Sequence, residues 1–171
     1  QVRCVSAACH SRVADTSFFP LTLNPRARWA NVTSPVRFPL LLHDPAECVF
    51  LSAAIAARGQ WEAPWVERLL MRLWQTRHWT GRPELFVDVG AHIGLFSLPA
   101  ALKVQSHGQV VAFEPHPENN DFLQRNVRQN KLGNVEIIKC AVGAKSGKTE
   151  LYQSEYNSGD HRLYRSGVNL K

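Results

Sequence analysis

The segment VDVGAHIG, Val87–Gly94, constrains this chain more than any other part of its sequence. An apolar run, LFVDV, contains the acid Asp88 near its end, and Gly90 and Gly94 follow. The run predicts a buried strand, and the residues beyond it predict a helix. Gly90 allows a sharp turn and the close approach of a ligand, whereas Gly94 allows the helix to pack closely on the strand.

The pattern around this segment predicts a parallel sheet. LFVDV, QVVAFEP and NVEIIKCAV have the composition of strands, and the helical stretches IGLFSLPAALKV and PENNDFLQRNVRQN separate them. Two successive βαβ units imply parallel strands with right-handed crossovers. Pro99 is expected to kink or shorten the first helix, whose leading amides would form a partly positive site. One more short strand, KTELYQSE, is expected after Gly147.

The spacing of the glycines separates two classes of cofactor. A dinucleotide site needs G-x-G-x-x-G so that the backbone can meet a pyrophosphate. The second residue after Gly90 is His92, whose bulk breaks that pattern, and Asp88 would repel a pyrophosphate. An acid at this place instead favours a cationic ligand such as S-adenosylmethionine, which has ammonium and sulfonium groups.

A second acid supports a nucleoside ligand. Glu114 ends the second strand, twenty residues after Gly94. Ligands bind at the carboxyl ends of strands in open parallel sheets, and a carboxylate there can accept hydrogen bonds from both ribose hydroxyls. We therefore expect Asp88 and Glu114 to face one cleft at that edge. Helix capping for Asp88 and a solvated strand end for Glu114 are the alternatives that involve no ligand.

Several segments together resemble the FkbM-type methyltransferases, which depend on S-adenosylmethionine. They are FVDVGAHIGLFSL, VVAFEPHPENNDFLQRNVRQN, AVGAKSG, the GQWE segment at Gly59–Glu62 and the NSGDHRL segment at Asn157–Leu163. The resemblance implies an α/β fold, a Rossmann-like class I methyltransferase sheet with helices on both faces. The match stops after about the third core strand. The sequence is therefore interpreted as the front part of a longer enzyme, and this part alone is expected to be inactive.

The resemblance also implies a set of cofactor-binding residues. Asp88, Gly90 and Gly94 would line the amino-acid end of the cofactor, Glu114 would hold the ribose, and Glu62 would close over the site or simply begin a helix. His92 stands where the family often has Asn. The full implied set is Glu62, Asp88, Gly90, Ala91, His92, Gly94, Glu114, Pro115, Cys140, Ala141 and Val142, the last three near the adenine.

The implied activity is methylation of a hydroxyl oxygen on a small molecule or a sugar. No catalytic residue is assigned, because substrate-side residues of the family lie beyond the matching part. A non-catalytic nucleotide-binding or degenerate methyltransferase module is the alternative. An NAD-dependent oxidoreductase is a third reading, weakened by the missing Gly-x-Gly.

Three regions are predicted along the chain. Residues 1–35 are expected to be an irregular extension, residues 36–80 a strand and two helices, and residues 81–171 the first half of the cofactor-binding domain. The strand is VRFPLLLHD, where Pro39 favours an edge position, and the first helix is PAECVFLSAAIAARG. In the second helix, APWVERLLMRLWQ, residues at helical spacing are expected to be core contacts: Trp65, Val66, Leu69, Leu70, Leu73 and Trp74.

Charge and cysteine content limit the functions that remain possible for this chain. The net charge is +6, but the basic residues are scattered, so nucleic-acid binding is not expected. No apolar stretch is long enough to predict a membrane span.

None of Cys4, Cys9, Cys48 and Cys140 forms a C-x-x-C pair, so no metal site is expected. A Cys4–Cys9 disulfide would need an oxidising compartment. No secretory leader is recognised, which favours the cytoplasm. Asn31-Val32-Thr33 fits the glycosylation sequon, a triplet that is also common by chance.

Overall fold

A three-stranded parallel sheet forms the centre of the protein. The structure, a computed structural model, describes residues 4–9, 28–32, 36–154 and 157–164. Strands β4 (Glu84–Val89), β5 (Gly108–Phe113) and β6 (Val135–Ile138) pair in the order β4-β5-β6, and both pairs are parallel. The predicted α/β class and the two βαβ units are therefore confirmed.

Two helices form the crossovers of this sheet, α3 (Ser97–Val104) and α4 (Pro117–Gln129). The prediction that α3 begins at Ile93 is wrong, because the residues just after Gly94 form turns. Starting at Ser97 places Pro99 in the first helical turn, where its missing N–H removes no intrahelical bond. Helix α4 begins as predicted, with Pro117 in its first turn.

The first described hairpin packs against α4. Strands β2 (Arg28–Val32) and β3 (Phe38–Leu42) are antiparallel partners in a two-stranded sheet. Such a sheet has only edge strands, which agrees with the edge position predicted for Pro39. The side chain of Asn126 accepts a hydrogen bond from the Leu41 amide at 2.6 Å and donates one to the Leu41 carbonyl at 3.2 Å. This buried amide thus ties the hairpin to the helix.

Helices α1 (Leu51–Arg58) and α2 (Ala63–Thr80) follow the hairpin. The expected start of α1 at Pro45 is wrong, because turns occupy the residues before Leu51. Val66 and Leu73 of α2 are buried against α3 and the sheet, as expected. Trp65 and Trp74 are instead 60% and 49% exposed, so the prediction that they are core contacts is wrong. Only a narrow stripe of α2 faces its neighbours, and both indoles lie outside it.

A second three-stranded sheet joins the beginning of the chain to its later part. Strand β1 (Cys4–Cys9) lies between β7 (Ala141–Val142), to which it is antiparallel, and β8 (Gly147–Leu151), to which it is parallel. Residues 1–35 are therefore not irregular throughout, since β1 and β2 fall within them. The predicted third strand is also divided, because its last residues leave the central sheet to form β7.

The central sheet is covered unevenly within the described residues. Phe86 and Val110 face α3 and form a small core with Ala100, Ala101, Val104 and Leu73. On the opposite face of β4, Leu85, Val87 and Val89 are 63%, 42% and 60% exposed. The prediction that LFVDV is buried is therefore correct for one face only, because successive side chains of a strand point to opposite faces. β4 is also an edge strand of this sheet.

Candidate functional site at the carboxyl edge of the sheet

Asp88 lies near the carboxyl end of β4. Its Oδ2 accepts a hydrogen bond from the Ser97 hydroxyl at 2.6 Å, so the first residue of α3 orients the carboxylate. Burial raises the pKa of the Asp88 carboxyl, although the hydrogen bond from Ser97 acts in the opposite direction. Ser97 thus holds the Asp88 carboxylate in place at the sheet edge.

The turn after β4 is held by the neighbouring strand. The amides of Gly90 and Ala91 both donate to the Phe113 carbonyl, at 2.9 and 3.0 Å. Gly90 has a φ of +84°, and a Cβ placed on it would meet no atom within 4 Å. The backbone at Gly90 is consequently open to a ligand. The predicted helix start does not lie at this turn, because α3 begins at Ser97, and the amides of Gly90 and Ala91 already donate to Phe113.

Gly94 has the packing role that the sequence predicts. Its φ is +103°, and a Cβ there would lie 2.1 Å from Cδ1 of Leu98 and 2.9 Å from Cδ1 of Leu123. These distances are far shorter than ordinary contacts between carbon atoms. A Cβ at Gly94 could be accommodated only if these two buried leucine side chains moved.

Glu114 follows β5 and is 4% exposed. Its Oε2 accepts from the His92 amide and its Oε1 from the His116 amide, both at 2.8 Å. Burial raises the pKa of the Glu114 carboxyl, these two hydrogen bonds oppose the shift, and the charge of Asp88 adds to it. The carboxylate therefore joins the two loops at the ends of β4 and β5. Asp88 and Glu114 lie at the same edge, as expected.

The two histidines whose amides contact Glu114 belong to a group of four: His43, His92, His116 and His161. The rings of His43 and His92 stack with centroids 5.6 Å apart, and those of His116 and His161 are 4.2 Å apart. Burial, with added repulsion from neighbouring imidazoles, lowers the pKa of His92 well below its usual value, that of His116 to about 3 and that of His161 to about 4. The group is therefore neutral at pH 7.

The turn containing Ser158 covers the histidines. Its hydroxyl lies 2.9 Å from Nε2 of His92 and 3.3 Å from Sγ of Cys48, and its carbonyl accepts from Nδ2 of Asn119 at 3.0 Å. Nδ1 of His92 is buried and has no partner within the described ranges. Of these residues, sequence reasoning singled out only His92 and the segment that carries Ser158. The pair His116-Pro117 did carry a signal, because a polar side chain before proline is typical of a helix start.

Among the remaining predicted residues, Glu62 lies away from the sheet edge, whereas Pro115 and Cys140 follow the ends of β5 and β6. Glu62 has a φ of +49° and lines a separate cavity of about 460 Å³ with Arg58, Gln60 and Trp61. Cys140 and Ala141 are buried, and Cys140 is disulfide-bonded. Pro115 lies beside Glu114, and Val142 ends β7. Whether any of these residues contacts a cofactor stays a prediction.

Metal and membrane sites can be assessed only for the described part of the chain. There, no group of three or more His, Cys, Asp or Glu side chains is arranged to hold a metal ion. None of the helices in the same ranges has the length and hydropathy that crossing a bilayer requires.

Residues 88–168 match the family described as Methyltransferase FkbM domain. The resemblance drawn from the sequence is thereby confirmed for this part of the chain.

Two fungal methyltransferases are among the similar proteins. Methyltransferase sdnD of Sordaria araneosa is 39% identical over 66 residues, which are 38% of this chain and 25% of that protein. Methyltransferase 1 of Beauveria bassiana is 30% identical over 78 residues, 46% of this chain and 31% of that protein. The chain thus spans only about a quarter to a third of the length of these relatives.

Solved structures with a similar fold include TYW2 of M. jannaschii in complex with AdoMet. It is 23% identical, and the alignment covers 67% of this chain and 43% of that one with a TM-score of 0.45. The putative transferase PH0793 of Pyrococcus horikoshii is 24% identical over 68% of this chain and 37% of that one, with a TM-score of 0.42.

Proposed function

We propose that the protein binds S-adenosylmethionine at the carboxyl edge of the central sheet and transfers its methyl group to a hydroxyl oxygen of a small molecule or a sugar. The observation that carries the proposal is the partly buried carboxylate of Asp88 beside the open backbone of Gly90. A cationic amino-acid group fits this pair, because the carboxylate supplies the charge and the glycine leaves the space.

The ribose end of the cofactor would lie toward Glu114. A carboxylate offers about four acceptor positions, and the amides of His92 and His116 occupy two of them. Because Glu114 is nearly inaccessible, a ribose could reach it only if the Ser158 turn or the His92 side chain shifts. The hydrogen bonds of the Ser158 hydroxyl would then be exchanged for contacts with the cofactor.

The reaction would be a displacement at the sulfonium methyl carbon. The acceptor oxygen forms a bond to that carbon, the carbon–sulfur bond breaks with its electron pair going to sulfur, and the hydroxyl proton passes to a base. Alignment of the oxygen with the breaking bond and removal of the proton are the contributions expected from the protein. None of the described residues is assigned as that base.

A second candidate is a non-catalytic module of the same fold. The engagement of both Glu114 oxygens by backbone amides favours it, because a carboxylate that braces two loops has a structural use without any cofactor. The release of labelled methyl product from labelled S-adenosylmethionine separates the two candidates. A protein that binds the cofactor but never transfers its methyl group to a panel of sugars, other small hydroxyl compounds and RNA would support the module.

Asp88→Asn tests the proposed cofactor site by calorimetry with S-adenosylhomocysteine. The variant keeps the shape of the side chain and removes its charge. We expect the affinity to fall by about 1.5–3 kcal/mol, roughly 10- to 100-fold, as for a lost hydrogen bond to a charged group.

The matched control for this test is Glu136→Gln. Glu136 lies on β6 and is exposed, and its change removes the same charge away from the carboxyl edge. The control should bind like the unaltered protein. Equal affinity of the Asp88 variant and the control would remove Asp88 from the site, and binding of NAD in place of S-adenosylhomocysteine would contradict the cofactor assignment.

A further inference from the structure

Asn31 and Val32, the first two residues of the sequon Asn31-Val32-Thr33, end strand β2. We propose that Asn31 carries an N-linked glycan and that the protein folds in an oxidising compartment of the secretory route. The proposal rests on the surroundings of Asn31 and on the state of the cysteines, which are independent observations.

The side chain of Asn31 is placed as a glycan acceptor requires. Asn31 is exposed, whereas its neighbour Val32 is only 4% exposed, so the alternation of the strand directs the amide outward. Within the described residues, the side-chain amide of Asn31 makes no hydrogen bond. Its partner across the hairpin is Pro39, and both strands are edge strands. A bulky substituent at this position therefore disturbs no strand pairing.

Open space adjoins the same amide. A shallow cavity of about 190 Å³ is lined by Ala30, Asn31, Pro39 and Gln129. None of these four residues carries a charge, and none belongs to the carboxyl-edge site. The first sugar could lie against this surface while the rest of the glycan extends into solvent, as is usual for glycans on Asn-X-Thr sequences at protein surfaces.

The cysteines point to the compartment in which such glycans are attached. Cys140 is disulfide-bonded, and disulfides persist in secreted proteins but are rare in the reducing cytosol. The thiol of Cys48 is free, but it is 3% exposed and so is shielded from exchange. An exposed sequon in a chain with a disulfide is more informative than the triplet alone, because the two features require the same environment. This inference differs from the cytoplasmic location that the sequence favours.

The modification is a balanced group transfer. The donor is an oligosaccharide linked through a diphosphate to a lipid, and the host cell's transferase brings it to the chain. The Asn31 amide nitrogen forms a bond to the anomeric carbon, the bond from that carbon to the phosphate oxygen breaks, and the lipid diphosphate leaves with the electron pair. The amide proton passes to a base of the transferase. No oxidant or reductant takes part.

The test is mass spectrometry of the full-length protein purified from the cells that make it. Free thiols are alkylated before any reduction, and the peptide containing Asn31 is analysed before and after treatment with a glycan-removing amidase in heavy-oxygen water. We expect no unmodified Asn31 peptide before treatment, and afterwards an aspartate at position 31 that carries heavy oxygen. Cys140 should resist alkylation until the protein is reduced.

Variants expressed from the complete gene in the same cells provide the controls. Asn31→Gln and Thr33→Val should lose the glycan and migrate faster on a gel, whereas Thr33→Ser keeps the sequon and should migrate like the unaltered protein. An unmodified Asn31 as the main species in the natural protein would overturn the proposal. A glycosylated Asn31 together with a Cys140 thiol that alkylates without reduction would overturn its second half, the oxidising compartment.

Discussion

Alanine at Gly94 should destabilise the protein more than alanine at any position where glycine serves the backbone alone. The φ of +103° already disfavours a Cβ, which costs about 1–2 kcal/mol for a left-handed backbone. The Cβ would also lie 2.1 Å from Cδ1 of Leu98 and 2.9 Å from Cδ1 of Leu123. Overpacking of this kind typically costs about 1–3 kcal/mol. We therefore expect Gly94→Ala to lower the free energy of unfolding by about 2–5 kcal/mol.

Two other glycines separate these contributions. Gly90 has a φ of +84° with nothing near its missing Cβ, so Gly90→Ala should cost only the backbone part, about 1–2 kcal/mol. Gly133 has neither a positive φ nor a near neighbour, so Gly133→Ala should be neutral or stabilise by about 0.4–1 kcal/mol through the unfolded chain. The expected order of stability is thus Gly133→Ala, then Gly90→Ala, then Gly94→Ala.

Urea unfolding followed by far-ultraviolet circular dichroism measures this series. The urea concentration at the midpoint of unfolding should shift. The dependence of the free energy of unfolding on urea concentration should stay constant, since the surface exposed on unfolding is unchanged. If Gly94→Ala is no less stable than Gly90→Ala, then the close approach of α3 and α4 to the turn does not contribute to stability, and the packing argument fails.

Three further outcomes are expected. Gly90→Val should abolish binding of S-adenosylhomocysteine while the helical dichroism signal remains, and normal binding would leave the glycine without a ligand role. In the folded state the pKa of His116 is about 3 and that of His161 is about 4, both below the usual 6.5. The contribution of these two histidines to the free energy of unfolding is therefore complete above pH 6.5 and decreases as the pH falls. The slope from each such histidine should approach about 1.4 kcal/mol per pH unit, and Asp88 and Glu114, whose pKa values are raised, oppose it as the pH falls through those values. Urea midpoints that do not change between pH 7 and pH 5 would refute this. The protein should self-associate through the apolar edge of β4, which is unpaired within the described residues, and a monodisperse preparation by light scattering would contradict that.

The spacing of local motifs predicted the central part of the molecule. Asp88, Gly90, Gly94 and Glu114 were predicted at the carboxyl edge because strand, turn and helix periods are local properties. The same spacing predicted the close packing at Gly94, since a glycine before a helix that crosses a strand usually marks a near approach. Cofactor contacts at these residues stay predictions.

Other features depend on tertiary pairing, which local patterns do not encode. Helical spacing placed Trp65 and Trp74 near the buried stripe of α2, but the width of that stripe is set by how α2 meets α3. The polar composition of residues 1–35 concealed β1, because a strand paired on both sides obtains its hydrogen bonds from residues far along the chain. His43, His116 and His161 are similarly dispersed in sequence, and only the meeting of loops brings their rings together.

The position of β1 affects the timing of folding during synthesis. Val5 pairs with Gly147, which lies 142 residues later, as the register of the two strands shows. At about 5–20 residues per second, β1 waits roughly 7–28 s on the ribosome before its parallel partner is made. During that interval its backbone N–H and C=O groups have no native strand to join, and they are available to other unpaired strands in the cell. Closure of this sheet is therefore a late event, and factors that shield a nascent chain would act on its first ten residues for most of the synthesis of residues 1–147.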